Sequence, residues 1–396
     1  MAKVSTMVEL GVLGGGSESK EYSLTNAFLY GGRNGTFFIV DVEDPGDVGN
    51  FRSTVRQYDS SGKFLRQIGT VGDGPGEFRG GVWDVKQLAD GRILISTARG
   101  LQEYSAAGSA VKLWPAKAPF PNRGAKILID PNGFILTYGS RRVPPREAIP
   151  GFGGIPFLYR FDLNGRLIDS TIRPPEVSLI RPSAPGAFFV PFKSTCDVSW
   201  NPTGFFMTAC TGEYRVDLLL VTQRGASRSG AQWTSDDRIS SFSRVVPGVD
   251  VQAAERDDWV DNITVWNQTG NGRQNWKWVG EGIPKTKPPI RELFADERGN
   301  IFVRQSQFAK LDRNIEVARK PRVDGTKEYT AGERWYEVPV YDVYSPAGRY
   351  LRQIVFPARS GQPLRPDAGF LVRDDDVWLI VRDGDDVPRI KRYRIQ

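Results

Sequence analysis

The chain has two cysteines, Cys196 and Cys210, whose spacing indicates that they form a disulfide bond. Residues 200–205, WNPTGF, are typical of a type I turn in which Gly204 takes the left-handed conformation that closes a short hairpin. Counting back along both strands places Cys196 opposite Cys210 at a non-hydrogen-bonded pair, where Cα atoms lie about 4.5 Å apart, within reach of a disulfide. We therefore predict an oxidised pair, as in exported proteins; two reduced core cysteines are the alternative.

Histidine is absent from all 396 residues, and this restricts the chemistry open to the chain. Serine and cysteine hydrolases in their usual forms need an imidazole base, and histidine is also the commonest metal ligand. A mechanism that uses Glu or Asp alone stays open. The composition nevertheless favours a protein that is not an enzyme.

Calcium stays open, because carboxylates and carbonyl oxygens are sufficient ligands for it. The candidate clusters are Asp374–Asp376 and residues 383–386, DGDD. Both coincide with predicted hairpin turns, where Asp is expected for structural reasons, so we predict no cofactor, with calcium as the alternative. The glycine-rich residues 72–78, GDGPGEF, lack the Lys-Ser/Thr ending of a phosphate-binding loop and are interpreted as a turn.

Two alternating patterns describe the elements that must position these residues. In the first, an acidic or Asn/Gly turn precedes an apolar strand; it occurs at 34–41, 90–95, 132–136, 203–207, 299–303 and 375–380. In the second, an aromatic or apolar residue precedes a polar turn ending in Gly; it occurs at 58–65, 104–108, 161–167, 221–225 and 344–351, with a truncated copy at Tyr393. Glycine in that position supplies the positive φ of a hairpin turn.

Each pair of patterns predicts one antiparallel meander, the blade of a β-propeller. A blade cannot bury both of its faces alone, so several must stack around an axis. The six pairs predict an all-β, six-bladed β-propeller that occupies residues 1–396 as a single domain. Strand-like segments at 8–12 and 389–395 lack a partner nearby in sequence, so we predict that the N- and C-terminal strands share a blade and close the ring.

Residues 58–78, YDSSGKFLRQIGTVGDGPGEF, resemble the NHL repeat, in which a hairpin turn and an Ile-Gly step lead into a Gly-Pro-Gly-Glu-Phe loop. Residues 351–354, LRQI, repeat the core of that segment. Over its whole length the chain is similar to bacterial six-bladed propellers of the NHL and TolB-like superfamily. Because that group is usually exported, the resemblance implies a periplasmic or extracytoplasmic protein, with the cytoplasm as the alternative.

Residues 226–297 interrupt the repeat between the fourth and fifth blades. Within this insertion a helix is predicted near 250–267, because apolar residues recur at helical spacing, at Val251, Ala254, Trp259, Ile263 and Trp266. Four tryptophans are clustered here: Trp259, Trp266, Trp276 and Trp278. They either pin the insertion onto the propeller or stay exposed as a protein-binding or membrane-interface patch, and they are candidate partner-binding residues.

Arg141, Arg142 and Arg146 lie in a proline- and arginine-rich segment, 139–156, that is longer than a hairpin requires. Long loops on a rigid scaffold often carry function, so these arginines are also candidate partner-binding residues. The net charge of +7 is spread along the chain, so nucleic acid is not an expected partner, whereas peripheral membrane contact stays open. Neither a transmembrane segment nor a signal peptide is predicted, as in a mature exported form.

These features predict a non-enzymatic binding or scaffold protein that docks on a protein partner through the inserted helix and the long loops. In the bacterial envelope it would be an extrinsic subunit of an integral membrane complex, for instance a respiratory or photosynthetic one. The alternative is a small-ligand or carbohydrate-binding propeller, or a histidine-free, calcium-dependent lactonase-like hydrolase, that uses the central channel.

Overall fold

The fold was obtained as a computed structural model. It describes residues 4–13, 24–25, 27–43, 52–78, 81–115, 126–142, 154–172, 190–220, 238–269, 276–278, 282–311, 318–321, 327–330, 334–357, 370–382 and 388–396. Arg146 and the acidic residues 383–386 lie outside this part of the chain, as do parts of the predicted insertion.

Short strands dominate the described residues. The first are β1 (Val4–Val12), β2 (Ala27–Gly31), β3 (Phe37–Glu43), β4 (Arg52–Tyr58), β5 (Phe64–Ile68), β6 (Thr70–Val71), β7 (Glu77–Phe78), β8 (Val82–Gln87), β9 (Ile93–Thr97), β10 (Gly100–Tyr104) and β11 (Ala110–Pro115). The next elements are β12 (Ile127–Ile129), β13 (Ile135–Arg142), β14 (Gly154–Phe161), β15 (Leu167–Ile172), β16 (Cys196–Asn201), β17 (Phe205–Cys210), β18 (Arg215–Leu220), β19 (Arg238–Ser243), β20 (Val249–Asp250) and the helix α1 (Ala253–Thr269). The last are β21 (Thr286–Lys287), β22 (Ile290–Ala295), β23 (Ile301–Gln305), β24 (Lys310–Leu311), β25 (Ala318–Pro321), β26 (Lys327–Thr330), β27 (Trp335–Tyr336), β28 (Val340–Tyr344), β29 (Tyr350–Val355), β30 (Phe370–Arg373), β31 (Asp376–Arg382) and β32 (Pro388–Ile395).

Most of these strands form four-stranded antiparallel meanders. Sheets I to IV are β2–β5, β8–β11, β12–β15 and β16–β19. An eight-stranded sheet consists of two further meanders joined edge to edge, which we call sheet V (β22, β23, β28, β29) and sheet VI (β30, β31, β32, β1). The predicted patterns account for this arrangement, since each apolar strand of the first pattern is the second strand of its sheet.

The tight turns form where Asp and Gly stand at fixed positions. In the turn between β14 and β15, the Asp162 carboxylate accepts hydrogen bonds from the N–H groups of Asn164 and Arg166, each at 2.9 Å. These hydrogen bonds hold the pKa of Asp162 below its usual value, and the one from the Arg166 N–H has the largest effect. Gly165 follows at φ +83°, a conformation that glycine adopts without steric cost.

The apolar core lies between neighbouring sheets rather than within any one of them. Five buried clusters each join two sheets that follow each other in the chain, from Val55 and Val85 between sheets I and II to Tyr341 and Val377 between sheets V and VI. One more cluster joins sheet VI to sheet I and so closes a ring. First strands contact each other, β2 with β8 and β30, β8 with β12, and β16 with β22, so they surround the axis. The described residues therefore form a β-propeller, and this prediction is confirmed.

The N-terminal strand joins the ring at two edges. Residues from Met7 to Val12 pair antiparallel with β32, as predicted for the two chain ends. In addition, Val4 to Thr6 pair in parallel with β29, which the sequence did not indicate. β1 thus links sheets V and VI.

Alternating strand directions give the ring two different faces. The connections between second and third strands, and those between successive sheets, end on one face, which we call the loop face. The turns between first and second strands and between third and fourth strands end on the other, the turn face. Residues 221–237, which include the predicted turn at 221–225, lie outside the described residues and join strand ends of the turn face. The other long segments between strands join strand ends of the loop face.

Candidate functional site

Helix α1 lies on the loop face, after β20 and before β21. Its first turn is capped by the Glu255 carboxylate, which accepts a hydrogen bond from the backbone N–H of Gln252 at 3.4 Å. The sequence predicts an apolar stripe that includes Ala254, but Ala254 is exposed and Glu255 is buried instead. The prediction is wrong by one position because the buried residue of this turn is charged, and apolar periodicity does not detect a buried acid.

Glu255 belongs to a buried ionic cluster centred on Lys287. The Lys287 Nζ atom lies 2.8 Å from Glu255 Oε1 and 2.8 Å from Glu337 Oε1, and it donates to the Gln307 carbonyl at 3.2 Å. The Lys287 side chain is 0% exposed and that of Glu255 is 2% exposed. Three donor positions of an ammonium group are therefore satisfied by protein acceptors, so the cluster fixes α1 to β21 and to the segment before β28.

An aromatic residue with an unusual backbone conformation lies against this cluster. Phe192 has φ +60°, which is rare for a bulky residue and costs free energy. The Lys287 Nζ atom and the Arg291 guanidinium each lie 5.0 Å from the centroid of its ring. Phe192 also packs with Val190, Val251 and Ile283 beneath α1.

The four predicted tryptophans share the insertion but not one exposed patch. Trp259 and Trp278 are partly buried against the Phe192 cluster, and the Trp259 ring lies edge-on to Phe192 with centroids 6.1 Å apart. Trp276 is buried, and its carbonyl accepts a hydrogen bond from Gln268 at 2.8 Å. The backbone of Trp266 belongs to α1, but its side chain lies outside the described residues. Their part in partner binding stays a prediction.

The predicted arginines lie elsewhere in the ring. Arg141 and Arg142 end β13 in sheet III, where their backbones pair with Ile155 and Gly154. Their side chains, like the whole of Arg146, lie outside the described residues. The backbones of Arg141 and Arg142 lie in sheet III, whereas α1 follows sheet IV, so the structure does not bring the predicted arginines and the helix together.

An exposed surface beside α1 was not foreseen. The Gln252 side chain donates to the Ala309 carbonyl at 2.6 Å and so ties the start of α1 to the segment that contains Phe308 and Leu311. Phe308 is 59% exposed and Leu311 is 40% exposed. On α1, Asp257 and Asp261 are exposed one turn apart. We call these four residues the α1 rim: Asp257, Asp261, Phe308 and Leu311.

Asp258 of α1 makes a second polar contact, with the segment that pairs with β24. The Asp258 carboxylate accepts hydrogen bonds from Arg334 at 2.6 and 2.7 Å and from the indole N–H of Trp335 at 2.8 Å. Trp335 pairs with Leu311 through the short ribbon of β24 and β27. Phe308 and Leu311 are therefore held on a braced surface.

Another buried carboxylate, that of Asp342, connects sheets IV and V. Asp342 of sheet V accepts hydrogen bonds from Tyr214 at 2.5 Å, Gln305 at 2.5 Å and Arg244 at 2.7 Å on one oxygen, and from Gln353 at 3.1 Å on the other. Tyr214 directly precedes β18 of sheet IV, and Arg244 directly follows β19. Burial, followed by the charge of Asp342, raises the pKa of the Tyr214 phenol. Burial also raises the pKa of Tyr344, next to it, to about 12.

The predicted disulfide is present at the loop-face end of sheet IV. Cys196 and Cys210 are paired in register on β16 and β17, with Cα atoms 3.9 Å apart and a covalent S–S bond. Gly204 has φ +107° in the connecting turn. The prediction is confirmed. It could be made from the sequence because the turn alone determines the register of the hairpin. A structural disulfide favours an oxidising compartment.

Replacing both cysteines by alanine is expected to lower the free energy of unfolding by about 2 kcal/mol. The bond closes a loop with a sequence separation of 14 residues, worth about 3 kcal/mol for a free chain, but the hairpin already restrains part of it. Urea unfolding with and without dithiothreitol measures the effect, and the double variant should not respond to the reductant. Free thiols in the native, unreduced protein would contradict this prediction.

The candidate calcium ligands Asp374, Asp375 and Asp376 each contact an arginine. Asp375 contacts Arg352 at 2.8 Å, Asp374 forms an ion pair with Arg298, and Asp376 binds the guanidinium groups of Arg392 and Arg394. Arginine lowers the pKa of Asp376, although burial opposes the shift. Within the described ranges, no group of three or more acidic, cysteine or histidine residues has the geometry to hold a metal ion. None of the described helices has the length and apolar character needed to span a bilayer.

Comparison with known proteins adds distant likenesses to solved propellers. No protein-family model and no curated protein sequence matches the chain. Among solved structures, a calcium-binding regucalcin of Agrobacterium tumefaciens is 12% identical, with a TM-score of 0.38 and coverage of 100% of this chain and 97% of that one. A gluconolactonase of Xanthomonas campestris is 10% identical, with a TM-score of 0.40 and coverage of 95% and 88%. The WD40 domain of Neurospora crassa Pan2 is 10% identical, with a TM-score of 0.40 and coverage of 99% and 96%. At these values the likenesses do not indicate an activity, and the class of the protein, a β-propeller, rests on its sheets.

Proposed function

We propose that the chain is a six-bladed β-propeller that acts as a non-enzymatic binding or scaffold protein and docks a protein partner on its loop face. The observation that carries this proposal is the α1 rim. Phe308 and Leu311 expose apolar surface on a segment that Gln252 and Asp258 tie to α1, and the carboxylates of Asp257 and Asp261 are exposed on that helix. An apolar centre with a polar edge is the usual composition of a protein interface.

The way in which α1 is attached supports docking rather than catalysis. Lys287 is sealed from solvent and already satisfied by two carboxylates and a carbonyl, so it is not accessible to a substrate. The cluster is instead suited to holding the rim rigid, and a preorganised surface loses less entropy when it binds. With no histidine in the chain, general acid–base catalysis would depend on other groups.

The disulfide supports a place outside the cytoplasm for this docking. Cys196 and Cys210 lie on the loop face, the face that carries α1. We propose that the protein is an extrinsic subunit of a membrane assembly in the bacterial envelope, on the periplasmic side. An exposed acidic helix on a chain of net charge +7 would favour a partner with a basic surface next to an apolar one.

Replacing both Phe308 and Leu311 by Asp is expected to abolish a stoichiometric complex with the partner. Two new charges would have to be buried at the centre of the interface without counter-charges, which should weaken binding at least about a hundredfold. The measurement is co-purification of the tagged protein from native membranes of the source bacterium. A control of the same chemistry is Leu65→Asp, since Leu65 is 46% exposed on sheet I, away from α1. Equal capture by the Phe308/Leu311 variant and the control would rule out the α1 rim as the docking surface.

A further inference from the structure

Two first strands contain a β-bulge at the same position. In sheet II, Val82 and Asp84 pair with consecutive residues of β9, so Trp83 has no residue opposite it. In sheet V, Ile290 and Glu292 pair with consecutive residues of β23, so Arg291 has none. The first strands of the other four sheets have no register shift in their described pairs.

The bulges re-aim these two side chains. Val82 and Val85, three residues apart, face the same core cluster between sheets I and II, and Ile290 and Leu293 do the same between sheets IV and V. The extra residue of each strand therefore leaves the core face and projects near the axis, since first strands surround the axis. Bulges often serve this purpose next to ligand sites. In the ring order of the sheets, II and V are opposite each other, so the two bulges lie at the loop-face ends of opposite first strands.

Both side chains carry hydrogen-bond donors that the described protein leaves free. Trp83 is 36% exposed, and no described residue accepts a hydrogen bond from its Nε1–H. Arg291 is exposed, and among described residues its guanidinium forms no hydrogen bond or ion pair. It is held by stacking on Phe192, whose backbone is in the rare left-handed region.

The surroundings of Arg291 define the charge of a ligand. Burial lowers the pKa of Arg291, and the charge of Arg304 acts in the same direction, whereas Glu337, Glu255 and Asp197 act in the opposite direction. Two of these carboxylates are engaged by Lys287. The guanidinium of Arg291 can therefore pair with a negatively charged ligand.

We propose that Arg291 and Trp83 form a binding site at the loop-face mouth of the channel for a small carboxylate that carries a sugar or aromatic ring. The guanidinium donates two parallel hydrogen bonds to the carboxylate, as arginine does in bidentate pairs. The ring lies on the Trp83 indole, whose N–H remains available for a ring oxygen. A few polar groups with an aromatic wall are typical of small-ligand sites.

Isothermal titration calorimetry of the purified chain tests this site with D-galacturonate and with benzoate, which distinguish a sugar acid from an aromatic one. We expect one of them to bind, and Arg291→Gln to weaken that binding about tenfold or more, because a charged hydrogen-bond pair is lost. Trp83→Leu should weaken it severalfold. The matched control is Arg166→Gln, an exposed arginine on the turn face, which should bind as the unaltered protein does.

Several results would refute the site. These are no binding of either carboxylate at millimolar concentration, equal affinity for neutral D-galactose or benzyl alcohol, or inorganic phosphate binding as tightly as the carboxylates. Arg291→Lys provides a second variant if Arg291→Gln does not fold; it keeps the charge but loses the planar fork, and it should also weaken binding about tenfold. Because the ligands are small molecules, the outcome does not depend on docking at the α1 rim.

Discussion

Replacing Lys287 by methionine is expected to lower the free energy of unfolding by about 3–5 kcal/mol, because it leaves two buried carboxylates without a counter-charge. Glu255 and Glu337 each lie 2.8 Å from the ammonium group that would be lost. Urea unfolding measures the effect on the whole chain. Hydrogen exchange of the α1 amides measures local opening of the insertion, which is where the change should be largest.

The control for this variant is Lys285→Met, two residues earlier. Lys285 is exposed, so its replacement should change the free energy of unfolding by no more than about 0.5 kcal/mol. A triple variant that also carries Glu255→Gln and Glu337→Gln should recover part of the loss, because neutral amides can be buried at a lower cost than unpaired carboxylates. Equal stability of Lys287→Met and Lys285→Met would show that the cluster does not hold α1 in place.

The sheets could be predicted from the sequence because their determinants are local. The Asp162 carboxylate and Gly165 close a turn within four residues, and the same types of residue recur at each turn of this kind. The disulfide was predictable for the same reason: one turn sets the register that brings Cys196 to Cys210. The β-propeller class followed from repetition, since a repeated meander needs neighbours on both faces.

The candidate site could not be predicted in the same way. Glu255, Lys287 and Glu337 are far apart in the chain and carry charges, so apolar periodicity places each of them at the surface. Only the ring brings them together. Arg291 is a partial exception, since the bulge at this residue accompanies a three-residue step between the apolar residues Ile290 and Leu293, which a two-residue strand pattern does not explain. The sequence of sheet II shows the same step.

The parallel pairing of β1 with β29 also lay beyond the sequence. Val4 to Thr6 carry the alternating pattern of a strand, which is compatible with either direction of pairing. The choice depends on which edges are left unpaired when the ring closes, and this is a property of the assembled sheets.

Replacing Asp342 by alanine is expected to destabilise the protein by about 3–5 kcal/mol, since it removes the acceptor of four donors from a buried position. Tyr214 and Gln305 would each lose a buried hydrogen bond of 2.5 Å, and the link between sheets IV and V would be broken. Urea unfolding followed by tryptophan fluorescence measures the loss. Asp342→Asn should be intermediate, because its remaining carbonyl oxygen can still accept from some of these donors.

The matched control for Asp342 is Asp257→Ala on the exposed side of α1. Removing an exposed carboxylate leaves no buried donor unsatisfied, so the free energy of unfolding should change by no more than about 0.5 kcal/mol. If Asp342→Ala were as stable as this control, water would have to enter between sheets IV and V and satisfy the four donors. The buried carboxylate would then be dispensable for the junction, and the apolar cluster of Met207, Val216 and Ile301 would hold the two sheets together by itself.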